Sequence, residues 1–451
     1  MYLSSYIINI NIGNSNLLVN GINGHVDLIS SYIAKLLQNK DFKKINRNIL
    51  NRLINRHYIF NNIKEEEIIY KKTEKDVYYQ LVNDKKRSII INFSEACNLN
   101  CVYCTSKKRR KNKRMSIEHV DKIFEFIKKF YKRFRFNKNI ILFGGEPLME
   151  KNSSLFNYLL KKILNTKFKL FIISNGVSIN KYIDVIKENK EKIARFQITL
   201  DGPPEIHDKK RYGLNYTKTF DLILNNIIEL LKLKIPITLR SNMEDSSFYH
   251  LHKLVKILEN KKIDRNKYLK PYLALIHTYH LKGTSNPITQ PVKYIKKFRK
   301  QSEKHPELLI YKEKNLYQYP ETFLMNVINK RRNIPRITPC NTAGAKVFVF
   351  ASDNKIYACE SSVDIKEFVL GEYFPRIKWD KNNVKKWKNR CSTKMRKCKR
   401  CPLVFICGGG CSLDAYEKNK SIMKPICDGG IENLKEFVKL NKDRILKLIN
   451  K

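Results

Sequence analysis

Between about residues 87 and 280 strand-like and helix-like patterns alternate, and this alternation limits the fold more than any other feature of the chain. Ser88-Ile89-Ile90-Ile91-Asn92-Phe93 has the apolar run of a buried strand. A helix is expected over about 116–133, then a strand at Asn139-Ile140-Ile141-Leu142-Phe143 and a helix near 153–164. Lys169-Leu170-Phe171-Ile172-Ile173, the run 194–200, Ile235-Pro236-Ile237-Thr238-Leu239 and Tyr272-Leu273-Ala274-Leu275-Ile276 continue the series, with helical patterns between them. Strands separated by helices indicate βαβ units and a parallel sheet. The expected class is therefore α/β, a partial TIM-like (β/α)6 barrel over residues 89–280, with its site at the C-terminal ends of the strands.

The flanks read differently. Residues 1–88 form a small α+β unit: Tyr6-Ile7-Ile8-Asn9-Ile10 and Asn16-Leu17-Leu18-Val19 precede helical patterns near 27–38 and 45–56. A turn-like Asn61-Asn62 and the acidic run Glu65-Glu66-Glu67 follow. Residues 281–335 are polar, basic and dotted with proline, as in a connecting insert; 336–430 are cysteine-rich, and 431–451 read as a helical tail. No apolar run reaches the roughly 18 to 20 residues of a membrane span, and no basic flank precedes a long apolar stretch at the N-terminus. No membrane partner is expected, and the expected compartment is the cytoplasm.

Lys and Arg number 89 against 42 Asp and Glu, a net charge of +47. Such a surplus suits nucleic acid, an anionic membrane surface or an acidic peptide. Lys, Asn and Ile are abundant along the whole chain, so the surplus reads as compositional bias rather than as one binding face. The densest run, Lys107-Lys108-Arg109-Arg110-Lys111-Asn112-Lys113-Arg114, has no interleaved aromatics on which bases would stack. It is expected to be a solvated loop, and nucleic acid is not an expected partner.

There are eleven cysteines. A cytosolic chain seldom commits thiols to disulfides, so metal ligation or catalysis is expected. Cys97, Cys101 and Cys104 follow the first strand of the series; Cys340, Cys359, Cys391, Cys398, Cys401, Cys407, Cys411 and Cys427 form a second group. Two thiolate-rich sites are implied. Taken alone, Cys97-x3-Cys101-x2-Cys104 suits a zinc site or a [4Fe–4S] cluster one ligand short of its usual four.

Later strands carry further motifs. Gly144-Gly145-Glu146-Pro147 follows the second, Ser174-Asn175-Gly176 the third and Thr199-Leu200-Asp201-Gly202-Pro203 the fourth, while Arg240 ends the fifth. Singly, the Ser174 and Thr199 motifs are turn chemistry, and Arg240 is equally a surface arginine. In this order on consecutive strands, residues 87–280 resemble the radical S-adenosylmethionine (SAM) superfamily. The resemblance implies that Cys97, Cys101 and Cys104 hold a [4Fe–4S] cluster whose open iron chelates the amino and carboxylate groups of SAM. It implies that Tyr103 lies near the adenine and that Gly144, Gly145, Glu146 and Pro147 receive the methionine amino group. Two glycines allow close backbone approach, and a carboxylate suits an ammonium. Ser174, Asn175 and Asp201 would approach the ribose and the substrate, and Arg240 the cofactor carboxylate. One electron, from a reductant such as flavodoxin or ferredoxin, would cleave SAM to methionine and a 5′-deoxyadenosyl radical that abstracts hydrogen from a C–H bond.

The second cysteine group resembles the seven-cysteine SPASM domain, which usually holds two auxiliary [4Fe–4S] clusters. That resemblance assigns Cys340, Cys359 and Cys411 to a nearer cluster and Cys398, Cys401, Cys407 and Cys427 to a farther one. Three clusters would use three, four and four thiols, which makes Cys391 the candidate fourth ligand of the nearer cluster; a free thiol and an open iron is the alternative. Asn354 stands where the domain often has glycine, and Asn accepts left-handed turns. A zinc ribbon over Cys398–Cys411 is the competing reading of that stretch. Glu360, next to Cys359, occupies the place of an acidic residue proposed as a base in sulfatase maturases; a solvated glutamate is the plainer reading. Residues 1–88 resemble, in placement and size, the winged-helix elements with which maturases of ribosomal peptides capture a leader by adding a strand to a sheet edge. The expected activity is formation of a thioether or carbon–carbon crosslink in a precursor peptide with a leader. The alternative is conversion of a sulfatase Cys or Ser to formylglycine, and an electron carrier without SAM chemistry is a third class.

Overall fold

The computed structural model describes residues 1–104, 107, 113–214, 217–276, 291–331, 335–427 and 429–449. Most of the basic run 107–114 and the start of the expected insert, 281–290, lie outside the described residues. The N-terminal unit consists of β1 (Tyr2–Leu3), β2 (Ile7–Asn11), β3 (Ser15–Asn20), β4 (Val26–Ser30), α1 (Ser31–Gln38), α2 (Arg47–Asn55) and β5 (Ile59–Phe60). Strands β2, β3 and β4 make an antiparallel sheet in that order, and β5 pairs with β1. Leu18, Ile33, Leu37, Leu53 and Ile59 pack as a core of their own.

One local expectation fails here. The helix expected from 27 begins only at Ser31, because Val26–Ser30 pairs with β3 and the Ser30 side chain then caps α1 by accepting from Ile33 N. The acidic run lies in α3 (Ile63–Asn83), capped by Asn62, which accepts from Glu65 N at 3.0 Å. Its buried residues Tyr70, Val77 and Leu81 are seven and four apart, one face of a helix whose exposed face hides the pattern among Lys and Glu. That face packs on Ile337, Val404 and Phe405 of the cysteine-rich segment.

The barrel runs β6 (Lys86–Asn92), α4 (Ile117–Phe130), β7 (Arg135–Phe143), α5 (Ser153–Ile163), β8 (Lys169–Ile173), α6 (Ile183–Glu188), β9 (Ile193–Thr199), α7 (Pro204–Lys210), α8 (Phe220–Lys232), β10 (Ile237–Met243), α9 (Leu251–Asn260) and β11 (Leu269–Leu275). Strands β6 to β11 are parallel to their neighbours, as an open α/β barrel requires. The expected insert is built rather than linking: α10 (Pro291–Lys304) buries Val292, Ile295 and Phe298, and α11 (Tyr319–Ile328) buries Phe323 and Leu324. Apolar residues three apart mark α10 as amphipathic despite its many charges.

The sheet does not end at β6. Strand β12 (Val347–Ala351) pairs parallel with it, Phe350 opposite Ile91. Strands β13 (Lys355–Tyr357), β14 (Val369–Glu372) and β15 (Lys378–Trp379) follow antiparallel, so the described sheet has ten strands in the order β11-β10-β9-β8-β7-β6-β12-β13-β14-β15. The cysteine-rich segment is thus continuous with the barrel through its sheet. Asn354 turns between β12 and β13 at φ 73°, the left-handed conformation foreseen for it. Helices α12 (Lys381–Lys388), α13 (Arg396–Lys399) and α14 (Ser412–Asn419) follow, and the tail is two helices, α15 (Gly430–Leu440) and α16 (Lys442–Ile449). Among the described residues no helix is long and apolar enough to cross a membrane.

Candidate active site

The loops at the C-terminal ends of β6 to β10 converge on Cys97–Cys104. The carbonyls of Ser94 and Ala96 accept from the N–H groups of Gly145 and Glu146, both at 2.9 Å, so the cysteine loop and the Gly-Gly-Glu loop run backbone to backbone. A Cβ at Gly145 would stand 2.1 Å from the Ala96 carbonyl oxygen, and Gly144 sits at φ +136° against Asn92. Only glycine admits that approach.

Glu146 is 1% exposed. Its carboxylate accepts from Leu148 N at 2.9 Å, Ser174 Oγ at 2.8 Å and Asn175 N at 2.6 Å. Burial pushes its carboxyl above the usual range, against the pull of those donors. Three of about four acceptor positions are therefore occupied within the chain. The carboxylate joins the loops after β7 and β8, and an ammonium would find only its remaining lone pair and the nearby backbone carbonyls. Asn175 extends the link: its Nδ2 donates to Asn98 Oδ1 at 2.7 Å and to Cys97 Sγ at 3.7 Å.

Tyr103 and Asp201 meet in a second network. The Tyr103 hydroxyl donates to the Asp201 carboxylate and accepts from Arg211 Nη1 at 2.8 Å and Asn242 Nδ2 at 3.0 Å. Asn242 N donates to Asp201 Oδ1 at 2.8 Å, and Arg240 Nε reaches Asn242 Oδ1 at 2.8 Å, so Arg240 touches this network at its edge. Burial holds His207 well below the usual imidazole range; neutral, its Nδ1 accepts from Asp201 N at 3.2 Å. Burial opposes the charge of Arg211, but Tyr103, Cys101 and Asp201 outweigh it and hold its guanidinium above the usual range. Asn98, His207, Arg211 and Asn242 escaped the sequence reading. Asn242 was missed because the strand runs on to Met243, past the Arg240 at which its apolar pattern stops.

The other thiols gather in two sets. Cys359 lies near Glu360, Cys411 and Cys340; burial foremost, then the Glu360 carboxylate, pushes its thiol well above the usual value. Cys398 is within electrostatic reach of Cys407, Cys401 and Cys427, and burial pushes it up to about 12. Gly408, Gly409 and Gly410, at φ +78°, +84° and +78°, link the two sets. A Cβ on Gly408 would strike the backbone of Thr338 and Pro339, one on Gly409 the Met395 sulfur, and one on Gly410 the Ile426 carbonyl. This tight loop draws the segments before Cys340 and Cys427 toward Cys398. Cys391 follows Arg390, whose guanidinium also senses Cys340, Cys411 and Cys398. It is fully buried beside Tyr70, Val77 and Phe405, and its polar neighbours are Thr393, Lys394 and Glu74. Glu360 opens a short 3-10 turn directly after Cys359 and is half-buried.

Three, three and four thiols suit iron–sulfur clusters in donor type and number. Among the described residues no three His, Cys, Asp or Glu side chains meet as a single-ion site requires; thiols that bind different irons of one cluster need not meet at a point.

Residues 91–244 match the Radical SAM superfamily. Over 349 residues the chain is 24% identical to a cysteine-type anaerobic sulfatase-maturating enzyme of Clostridium novyi (strain NT), covering 70% of this chain and 85% of that one. Among solved structures, anSMEcpe with bound AdoMet superposes with a TM-score of 0.59 at 20% identity, over 80% of this chain and 95% of the other. Streptococcus suis SuiB bound to precursor peptide SuiA superposes with a TM-score of 0.55 at 14% identity, over 94% and 98%. At these identities the superpositions establish the shared fold.

Proposed function

This chain is a radical SAM enzyme, and we propose that it matures a precursor peptide, forming a thioether or carbon–carbon crosslink. The observation that carries this reading is a groove of about 270 Å³ in the N-terminal unit, between β4 and the helices behind it. Leu28, Ile29, Ile33, Ile49 and Leu53 line it, and Arg52 stands at its rim, with its guanidinium on Asp27 at 2.8 Å. Strand β4 is an edge of its sheet. An edge strand beside an apolar groove suits an extended peptide that adds a strand and buries alternate side chains. The leader of the precursor is the segment we assign to it. Precursor peptide SuiA is bound by SuiB, whose likeness spans nearly this whole chain, N-terminal unit included.

SAM reduced at the cluster of Cys97, Cys101 and Cys104 would supply the radical that removes hydrogen from the substrate. The protein's part is to hold, orient and exclude. Gly144 and Gly145 bring backbone close to the cofactor, Glu146 fixes the loops of β7 and β8, and the Tyr103–Asp201–Arg211–Asn242 network braces the far side. The auxiliary sets would each carry a [4Fe–4S] cluster, the nearer on Cys340, Cys359 and Cys411 with one ligand from elsewhere, the farther on Cys398, Cys401, Cys407 and Cys427. Glu360, beside the nearer set, takes the proton released as product forms. A flavodoxin or ferredoxin supplies electrons.

The test is leader binding. The double variant Ile49→Asp, Arg52→Glu is expected to weaken precursor affinity at least tenfold, roughly 1.4 kcal/mol, while SAM cleavage to 5′-deoxyadenosine persists. Unchanged affinity would remove the recognition role of the groove. A second reading, formylglycine formation in a sulfatase, is supported by the Clostridium novyi relative, of which this chain covers 85%. A sulfatase-derived peptide without a leader, modified at full rate by the double variant, would favour it.

A further inference from the structure

Between the two thiol sets of the cysteine-rich segment lies a buried cation with no carboxylate partner among the described residues. Arg390 is 0% exposed. Its Nη2 donates to the Gly410 carbonyl at 2.8 Å, while Nε and Nη1 have no hydrogen-bond partner. Its electrostatic surroundings are thiols: Cys340 and Cys411 of the nearer set, Cys398 of the farther, and Cys391. A guanidinium stripped of water, with two donors unsatisfied, is destabilising by several kcal/mol unless counter-charge and acceptors are supplied. Burial lowers its proton affinity, yet a guanidinium is the strongest of the side-chain bases and keeps its charge in proteins. Protonated thiols do not meet the need. Thiolates and sulfides bound to iron do, because a cluster carries net negative charge with sulfur acceptors on its surface.

We propose that Arg390 bridges the two auxiliary clusters, donating from Nε and Nη1 to their sulfurs and setting their reduction potentials. The role rests on the cluster assignment above. A positive charge beside a cluster favours the reduced, more negative state, so Arg390 raises the potential of both. Its rigid fork lets one side chain address the two clusters while Nη2 stays on Gly410. The glycine loop Gly408–Gly410 then serves two ends: it draws the sets together and presents the carbonyl that orients the guanidinium.

The experiment is an anaerobic redox titration followed by electron paramagnetic resonance on the fully reconstituted chain, beside Arg390→Met and Arg390→Lys. In Arg390→Met the auxiliary signals are expected at least tenfold harder to reduce, about 59 mV for one electron. The Cys97–Cys104 cluster should keep its potential, and Arg390→Lys should recover part of the shift. Loaded variants with unchanged potentials would overturn the proposal. Should Arg390→Met fail to fold, the wild-type chain with 15N-arginine decides: nitrogen hyperfine coupling to a reduced auxiliary cluster supports the bridge, and its absence overturns it. A wild-type chain that loads iron and sulfide for one cluster alone overturns the cluster assignment itself, whereas two auxiliary clusters indifferent to Arg390 overturn the bridge alone.

Discussion

At the scale of single residues, three side chains carry distinct expectations. Cys391 sits in an apolar pocket with Tyr70, Val77 and Phe405, and Thr393, Lys394 and Glu74 are the polar groups its thiol senses. Cys391→Ala should therefore leave iron and sulfide content and cluster spectra unchanged; loss of one cluster would return it to the ligand set. Glu360 borders the nearer set, and a proton acceptor in such a place contributes typically 10²–10⁴-fold. Glu360→Gln should reduce product formation by roughly that factor while 5′-deoxyadenosine still accumulates, a split that assays of the two products resolve. Glu321, in α11, is 1% exposed, and burial raises its carboxyl to about 7. The folded chain thus holds this proton more tightly than the unfolded one. Its contribution is complete below about pH 4.5 and disappears as pH rises through about 7. Thermal melts should show Tm falling across that window, and Glu321→Gln should flatten this part of the profile.

At the scale of elements, helix α3 decides how the N-terminal unit is held. It reaches from that unit to the cysteine-rich segment, with Tyr70, Val77 and Leu81 against Ile337, Val404 and Phe405. Tyr6 adds a bond to the Lys399 carbonyl at 3.0 Å, close to Cys398 and Cys401. Deleting the unit at residue 88 would thus strip cover from the farther thiol set and cut into β6. Such a truncation is expected to lose iron as well as peptide affinity, which is why substitutions in the groove, whose lining shares no residue with the α3 contact, test recognition more cleanly. Leu81→Asp, which buries a charge without a partner, should reproduce the iron loss at an intact groove. Retained cluster content would show that α3 is not needed to shield the set.

At the scale of the whole molecule, the barrel and the cysteine-rich segment are one sheet. Val347–Ala351 is buried throughout and extends the barrel past β6. A chain ending at residue 335 would expose the β6 edge together with its apolar face, and such an edge invites aggregation. That truncated form should be insoluble or melt well below the full chain, although the radical SAM motifs all lie within it. The full chain, anaerobically reconstituted, should bind roughly twelve irons, four for each of three clusters.

How much of this was legible before the structure follows from the range of the interactions concerned. Six strands, the motifs at their ends and the open three-thiol loop were readable because each depends on residues a few positions apart, where periodicity and spacing act directly. Helix α3 and helix α10 were obscured by charge on their exposed faces, although their buried positions kept helical spacing. The parallel pairing of β12 with β6, the seclusion of Cys391, the groove beside β4 and the lone Arg390 between two thiol sets join residues far apart in the chain. Which of these meet is decided by burial and backbone complementarity over the whole molecule, and no local pattern encodes that. The chemistry of the chain is thus written in its short-range motifs, while the grouping of the thiols, the groove beside β4 and the burial of Arg390 come from packing.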